Sequence, residues 1–219
     1  MKKVLITGAG SGLGAELAKC YSEQGDHIIL VGRNEENLKN VSNSIVEKGF
    51  SAEYFVTDIT KQEQMDKLKQ SIREKHSQID CLINNAGVGY FGAIEKLTVD
   101  EMNAMIDVNV KGTIMVTTTL LPYTRERILN IISTAGLRGK INEAVYCASK
   151  FAIRGFTESL QKELAENKIR LTAVYMGGMD TPFWENSTHI KDKSRLKSAK
   201  VVAKEIFDND DGREEIIVY

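Results

Sequence analysis

The chain has 219 residues, of which 42% are hydrophobic and 27% charged, a balance typical of a globular protein that buries one core in one domain. Its formal net charge of -1 and pI near 6.3 lack the basic excess that binds a phosphate backbone, so no nucleic-acid partner is expected. No apolar stretch approaches the ~20 residues that span a bilayer, and the apolar run after the basic start is too short for a signal peptide. These features predict a cytoplasmic protein without a membrane segment.

Cysteine and histidine are sparse and scattered. The cysteines, odd in number and set in apolar or helical surroundings, are predicted to be buried free thiols in a reducing compartment: Cys20, Cys81 and Cys147. The histidines are equally far apart: His27, His76 and His189. Because a zinc site needs clustered ligands, this spacing predicts no metal centre.

Short runs rich in β-branched residues alternate with amphipathic stretches along the whole chain. The runs predict strands at residues 3–7, 27–31, 52–56, 80–83, 128–132, 170–175 and 214–218. The stretches between them predict helices at about 12–24, 35–48, 61–76, 98–122, 144–166 and 199–207. Such alternation indicates an α/β fold with a doubly wound, Rossmann-like parallel sheet and helices on both faces, as a single domain over residues 1–219.

Helix boundaries carry suitable end residues. Asn34, Thr60 and Thr98 are predicted N-caps, because their side chains can accept a hydrogen bond from a free backbone N–H of the first turn. Gly25 and Gly49 are predicted C-terminal stops.

The first predicted strand runs directly into a glycine-rich turn, TGAGSGLG at residues 7–14, and then into a helix. Backbone N–H groups and the helix dipole at such a point attract a pyrophosphate, and glycine allows its close approach. The common G-x-G-x-x-G pattern counted from the first glycine fails, and tight turns also use glycine for backbone reasons alone. The predicted cofactor contacts of this turn are Gly8, Ser11, Gly12, Leu13 and Gly14.

Gly32 and Arg33 end the second predicted strand, where an NAD-binding site usually offers an acidic residue to the ribose 2'-hydroxyl. A guanidinium binds a 2'-phosphate through charge-assisted hydrogen bonds, whereas a carboxylate repels it. The sequence therefore favours NADP over NAD. The alternative is that Arg33 is a solvated loop charge.

Tyr146 and Lys150 stand four residues apart in a predicted helix, so their side chains share one face. An ammonium group there favours the phenolate and should lower the phenol pKa, as a proton carrier requires. One such pair can arise by chance in a chain with seven tyrosines. Ser133, just past the fifth predicted strand, could donate a hydrogen bond to a substrate oxygen.

Taken together, these motifs resemble those of the short-chain dehydrogenase/reductase family, and the resemblance covers nearly the whole chain. The motifs fall in the family's order: T-G-x-x-x-G-x-G at residues 7–14, Asp58, Asn84-Asn85-Ala86-Gly87, Asn109, Ser133 and Tyr146-x-x-x-Lys150. The resemblance implies that Tyr146 is the general acid/base and that Ser133 polarises the substrate oxygen. It also implies that Lys150 lowers the tyrosine pKa and binds the nicotinamide ribose, and that Asn109 holds a water in a proton relay.

The same resemblance assigns further cofactor contacts. Asp58 resembles the residue that caps the adenine, and Thr181 resembles the one that meets the carboxamide. The segment lining the cofactor cleft would be Asn85, Ala86 and Gly87. Simpler explanations exist for four of these residues: the asparagines at 84 and 85 could stabilise a strand end, Asp58 could cap the following helix, and Asn109 could be a polar break in a helix.

The chain departs from the family pattern after the sixth strand, where Met176-Gly177-Gly178 replaces the usual Pro-Gly. The segment expected to face the substrate, at about 182–198, is short. Candidate substrate-facing residues, which plain core packing would also explain, are Tyr90, Phe91, residues 137–141, Phe183 and Trp184.

The leading functional hypothesis is an NADPH-dependent carbonyl reductase, or an alcohol dehydrogenase working in reverse, on a small-molecule carbonyl or alcohol. The alternative from another class is a nucleotide sensor that has kept the fold and lost turnover. An epimerase or dehydratase would need a larger substrate region. A homodimer or homotetramer is predicted from the apolar residues 108–121 and from a helix surface formed by Ala148, Ala152 and Phe156.

Overall fold

The computed structural model describes residues 1–184, 192 and 196–218. Its strands are β1 Lys3–Thr7, β2 His27–Gly32, β3 Ser51–Val56, β4 Ile79–Asn84, β5 Thr124–Ile131, β6 Arg170–Met176, β7 Met179–Asp180, β8 Lys197–Ser198 and β9 Glu215–Val218. Its α-helices are α1 Gly12–Glu23, α2 Glu35–Val46, α3 Gln62–Lys75, α4 Val99–Met105, α5 Thr113–Leu120, α6 Ala144–Glu163 and α7 Ala199–Asp208.

Seven strands form one parallel sheet in the order β3-β2-β1-β4-β5-β6-β9. The two short strands β7 and β8, which the sequence did not predict, pair with each other. The order reverses beside β1, between β1 and β4, where a doubly wound sheet opens a ligand crevice at the carboxyl ends of its strands. The predicted single-domain, Rossmann-like fold is confirmed.

Alternate residues of each strand build two separate cores, one on each face of the sheet. In β1, Val4 and Ile6 pack with α1, α2 and α7, while Leu5 packs on the other face with α3, α5 and α6. Both faces are therefore covered, as the continuous apolar runs of the central strands require. Among the described residues, no helix is long and apolar enough to cross a membrane.

The long helix predicted at 98–122 is interrupted. A π-helical segment, Ile106–Gly112, separates α4 from α5. Tertiary interactions accompany this irregular turn. The buried Asn109 side chain forms hydrogen bonds with Val88 and Ser149, and Gly112 packs so closely that an added Cβ would lie 2.8 Å from Ile59 Cδ1. Because these interactions involve residues distant in sequence, the periodicity of the sequence could not predict the interruption.

Two of the three predicted N-caps are confirmed. The side chain of Asn34 accepts from Asn37 N, and Thr98 forms a capping box with Glu101. Thr60 is wrong as an N-cap, because α3 is preceded by Lys61, and the Thr60 hydroxyl instead donates to Asp58 Oδ1 at 2.8 Å.

The expectation of free thiols is confirmed, with Cys20 half-buried and the other two cysteines buried. The expectation of scattered histidines is wrong for His27 and His76, whose ring centroids lie 5.5 Å apart. The cause is topological: β2 begins, and α3 ends, at the same edge of the sheet. His189 lies outside the described residues.

Candidate active site

A cavity of about 1260 Å³ opens at the carboxyl ends of the strands. It exceeds the roughly 300–1,000 Å³ of an ordinary small-ligand pocket, so it has room for a dinucleotide and a second molecule. Most of the predicted site residues line it: Gly8, Ser11, Gly12, Leu13, Arg33, Asp58, Asn85, Ala86, Gly87, Ser133, Tyr146, Lys150 and Thr181. Gly14 and Asn109 do not line it but lie directly behind its wall.

The glycine-rich turn at the start of α1 needs glycine at particular positions. Gly8 and Gly12 have φ values of +64° and +54°, which favour residues without a Cβ. A Cβ on Gly14 would stand 2.4 Å from Gly8 O, so this glycine lets α1 pack against the turn. The α1 N-cap, Ser11, makes no side-chain capping bond, and the first backbone N–H groups of the helix are therefore available to an anion.

The segment after β4 is tied to this turn. Thr7 Oγ1 accepts from Asn85 N and Ala86 N at 3.0 and 3.1 Å, and Asn85 Nδ2 donates to Thr7 O and Gly8 O at 3.0 and 3.2 Å. Asn84 points away, donating to Thr117 Oγ1 and Asn130 Oδ1 at 2.9 and 2.8 Å. Its side chain therefore stabilises the strand end, which matches the simpler explanation for that position.

Arg33 and Asp58 mark one end of the cavity, past β2 and β3. Asp58 lines the cavity, and its Oδ1 accepts hydrogen bonds from the Thr60 backbone N–H at 2.9 Å and from the Thr60 hydroxyl. These bonds order the start of α3. Partial burial alone would raise the Asp58 pKa, but the Thr60 hydrogen bonds and the charges of Arg33 and Lys61 hold it below its usual value. The carboxylate is therefore ionised at neutral pH.

Ser133 and Tyr146 meet at the other end. Both side chains are buried, the Ser133 hydroxyl lies near enough to the phenol to lower its pKa, and the Ser133 oxygen also accepts from Ala135 N at 3.2 Å. Ser133 has a φ of 116°, a left-handed conformation that costs a non-glycine residue energy. Strain of this kind clusters at functional sites, where the surrounding structure maintains it.

Burial shifts the pKa values of Tyr146 and Lys150 in opposite directions. It raises the phenol pKa well above 10 despite the Ser133 hydrogen bond, and it lowers the pKa of the Lys150 ammonium to about 8. The expectation that Lys150 lowers the tyrosine pKa is wrong in this structure. Lys150 Nζ donates to Ile131 O at 3.2 Å and lies 5.7 Å from the Tyr146 ring centroid, with no hydrogen bond to the phenol oxygen among the described contacts.

The Asn109 side chain is committed to neighbouring protein groups. Its Oδ1 accepts from Val88 N at 2.8 Å, and its Nδ2 donates to Val88 O at 2.9 Å and to Ser149 Oγ at 3.0 Å. These bonds hold the segment after β4 against α6 at Ser149, the residue next to Lys150. The water-holding role stays a prediction.

Aromatic rings surround the phenol on the side away from the glycine turn. The rings of Phe91 and Phe183 have centroids 5.3 and 5.9 Å from that of Tyr146. A Cβ on Gly89 would stand 2.5 Å from the Phe91 ring, so a small residue makes room for both phenylalanines. The predicted Tyr90 also lines the cavity.

Of the candidate range 137–141, only Lys140 reaches the cavity; Leu137 packs in a core and Ile141 is 87% exposed. The segment 185–191 and the Trp184 side chain lie outside the described residues. Met176 and Gly177, which stand where relatives carry Pro-Gly, also line the cavity.

Sequence reasoning missed the buried Glu143, which lines the cavity three residues before Tyr146. Its Oε2 lies 4.0 Å from Lys140 Nζ, which also donates to Thr134 Oγ1 at 3.1 Å. Helical spacing could have revealed Glu143, since a residue three positions before the phenol lies on the same face of a helix.

A glycine turn at a helix N-terminus and a buried tyrosine with a neighbouring lysine, all around one crevice of a doubly wound sheet, define a nucleotide-binding oxidoreductase site. The family model described as short chain dehydrogenase matches residues 2–192, and the chain belongs to this family. Curated relatives include an uncharacterized oxidoreductase of Staphylococcus epidermidis, 34% identical over 91% of this chain and 87% of its own. One from Staphylococcus saprophyticus is 37% identical over 83% and 80%.

Solved structures agree with this assignment. An alcohol dehydrogenase from the archaeon Thermococcus sibiricus, complexed with 5-hydroxy-NADP, superposes with a TM-score of 0.91 at 25% identity, covering 99% of this chain and 95% of its own. An actinorhodin polyketide ketoreductase with NADPH gives a TM-score of 0.86 at 28% identity, covering 94% and 88%. The chain is therefore an oxidoreductase of the short-chain dehydrogenase type.

Proposed function

We propose that this oxidoreductase transfers a hydride between NADP and the carbonyl or alcohol carbon of a small molecule, with NADPH favoured over NADH. The observation that carries the proposal is the buried Tyr146 phenol, which lies beside Ser133 and shares one cavity with a glycine turn suited to binding an anion. Two similar structures, the archaeal alcohol dehydrogenase and the polyketide ketoreductase, are described with NADP-type cofactors.

The chain's residues fit such a cofactor. Gly8 and Gly12, with their positive φ values, leave a cradle that side chains would fill, and the N-terminus of α1 offers N–H groups to the pyrophosphate. Arg33 would bind the 2'-phosphate, while Asp58 would lie at the adenine, Thr181 at the carboxamide and Lys150 at the ribose. When bound, the cofactor supplies or accepts the hydride.

Proton transfer falls to Tyr146. Because burial raises its pKa, the phenol keeps its proton at neutral pH and can donate it to the oxygen of a carbonyl that is being reduced. Ser133 would donate a hydrogen bond to the same oxygen and polarise the carbonyl. Asn109 holds Val88 and Ser149 in place behind this pair, and its contribution to a proton relay is part of the proposal.

The substrate side of the cavity is aromatic at Phe91 and Phe183, which favours an apolar carbonyl compound. Of the segment at about 182–198 that was expected to face the substrate, Pro182, Phe183 and Leu196 line the cavity, while residues 185–191 and 193–195 lie outside the described residues. No feature of the described residues favours the sensor alternative, because binding a nucleotide alone does not require a buried tyrosine beside a serine hydroxyl.

The decisive variant is Tyr146→Phe, which removes the proton donor and little volume. We expect turnover of ketone and aldehyde substrates to fall by a factor of at least roughly 10²–10⁴, the usual contribution of a general acid, while the Kd for NADPH stays within about twofold. Loss of nicotinamide absorbance measures turnover, and fluorescence titration measures the Kd for NADPH.

The matched control is Tyr175→Phe. Tyr175 is fully buried, and its hydroxyl has no hydrogen-bond partner among the described residues, so this change removes a phenol oxygen outside the cavity. It should leave turnover unchanged. Near-normal turnover in Tyr146→Phe would contradict the mechanism.

A further inference from the structure

Three side chains with metal-ligating atoms converge at the edge of the sheet opposite the cavity. His27 begins β2, Glu53 lies in β3, and His76 follows the last turn of α3. His27 pairs in register with Ser51, and Glu53, two residues further along β3, projects from the same face of the strand. Within the described part of the chain, one ligand atom from each of the three residues lies within 4.8 Å of the other two.

The distances centre on one carboxylate oxygen. Glu53 Oε1 lies 2.7 Å from His76 Nε2 and 3.1 Å from His27 Nε2. A tetrahedral zinc ion, with bonds of about 2.0–2.2 Å, spaces its ligand atoms roughly 3.3–3.5 Å apart. Because the Glu53 side chain is 25% exposed, it has room for the shift of about 0.2–0.8 Å that would admit the ion.

His76 provides the second observation. Its side chain is only 8% exposed, yet Nε2 has no hydrogen bond of acceptable geometry among the described residues, even to the carboxylate oxygen 2.7 Å away. A nitrogen and a carboxylate oxygen this close need a proton or a cation between them, and a metal ion would satisfy both atoms at once.

Some groups around the three side chains favour binding of a cation, and others oppose it. His27 Nδ1 lies 2.7 Å from Ser51 Oγ, the kind of outer contact that orients a ligating imidazole, and the carboxyl end of α3 favours a cation. Against this, Lys75 Nζ lies 3.2 Å from Glu53 Oε2, and Lys3 Nζ donates to His76 O at 2.8 Å. These ammonium groups repel a divalent ion, so micromolar affinity is expected rather than the tighter binding of closed structural sites.

We propose that His27, Glu53 and His76 form a zinc site that ties β2, β3 and α3 together at the amino-terminal edge of the sheet. Two imidazoles and one carboxylate are a zinc ligand set, and the fourth position is left for water. From His27 the strand runs about 15–20 Å to its end beside Arg33, at roughly 3.3 Å per residue. The ion therefore acts on stability and not on turnover.

The test uses the full-length protein, stripped of metal with a chelator and then titrated with Zn²⁺ alone. We expect one zinc bound per chain at saturation by calorimetric titration, and a Tm raised by roughly 5–10 °C at a free Zn²⁺ concentration a hundredfold above Kd. Substituting Co²⁺ should give the intense visible absorption of a tetrahedral site.

Glu53→Gln and His76→Gln should each abolish the saturable zinc binding and the Tm shift. Two control variants should keep both the zinc binding and the Tm shift. Glu63→Gln changes a carboxylate that is 82% exposed in a surface ion pair, and His189→Gln removes the third histidine. Circular dichroism checks that the variants fold. If either variant does not fold, the zinc stoichiometry and the Co²⁺ spectrum of the native protein still test whether the site exists. Absence of saturable zinc binding to the native protein, or unchanged zinc binding by the folded variants, would make the cluster a hydrogen-bonded network and overturn the proposal.

Discussion

Arg33 is the residue on which the proposed cofactor preference depends. It is exposed, lines the cavity and contributes its charge to the environment of Asp58. Arg33→Asp exchanges a charge-assisted contact for repulsion of a 2'-phosphate, so the ratio of kcat/KM for NADPH over NADH should fall by about ten- to more than a hundredfold. Solvent at the rim screens part of the repulsion.

The matched control for this change is Lys61→Asp, which reverses another charge that acts on Asp58 but lies outside the cavity lining. It should leave the ratio nearly unchanged. A ratio that barely moves in Arg33→Asp itself would make Arg33 a solvated loop residue and remove the main support for NADP.

Lys150 is buried at a cost in stability that depends on pH. Its folded-state pKa of about 8 lies below the ordinary 10.5, so between these values the unfolded chain binds more protons and stability rises with pH. At pH 7 the cost is about 3 kcal/mol, and it falls to roughly half by pH 9.5.

Lys150→Met should therefore be more stable than the native chain at pH 7 by up to about 3 kcal/mol, less about 1 kcal/mol for the lost bond to Ile131 O. Denaturant titrations at pH 7 and 9.5 check that this advantage shrinks with pH. The same variant should lose turnover and bind NADPH more weakly. A constant advantage across this range would mean that the ammonium is not desolvated, and an unchanged Kd would remove Lys150 from ribose binding.

At the level of elements, the turn between β1 and α1 shows why glycine spacing matters more than a fixed pattern. Gly14→Ala places a Cβ 2.4 Å from Gly8 O and 2.5 Å from Asn85 Nδ2, and the backbone oxygen cannot move aside cheaply. We expect a loss of about 2–4 kcal/mol in unfolding free energy, together with weaker NADPH binding. Gly177→Ala, at a cavity glycine with open space around its Cα, should leave the Tm unchanged. Equal Tm values for the two variants would contradict the packing argument.

Elements that follow local periodicity were predictable, and those set by tertiary contacts were not. The seven sheet strands and the Asn34 and Thr98 caps follow from apolar runs and side-chain chemistry close in sequence. The π-helical segment around Asn109 depends on bonds to Val88 and Ser149, which are 21 and 40 residues away. The Tyr146 pKa was predicted in the wrong direction because helical spacing shows Lys150 nearby but not how deeply both groups are buried.

At the level of the whole molecule, the same distinction applies to the two ends of the sheet. Motif order predicted the residues at the carboxyl edge, because each follows a strand. The cluster of His27, Glu53 and His76 at the opposite edge has no motif, and only the parallel register and the end of α3 bring it together.

The surface of α6 also bears on how whole chains assemble. The predicted interface residue Phe156 is half-buried against its own cores, so it offers only part of its side chain to a partner. Ala148 and Ala152 are exposed as predicted, and Phe151, 42% exposed, stands between them on the same helix face. An apolar strip of this kind, repeated on a second copy, suits two-fold packing of helix against helix.

We therefore predict a homodimer or larger assembly that Phe151→Glu converts to monomer. The introduced carboxylates would face each other across a two-fold axis in an apolar contact, where desolvation and like charge both oppose association. Light scattering at micromolar concentration measures the mass. The matched control is Val46→Glu, which places the same charge at a 51% exposed valine on α2, a helix on the other face of the sheet, and should leave the mass unchanged. A native chain that is already monomeric, or a Phe151→Glu variant that keeps the native mass, would contradict an interface built on this face of α6.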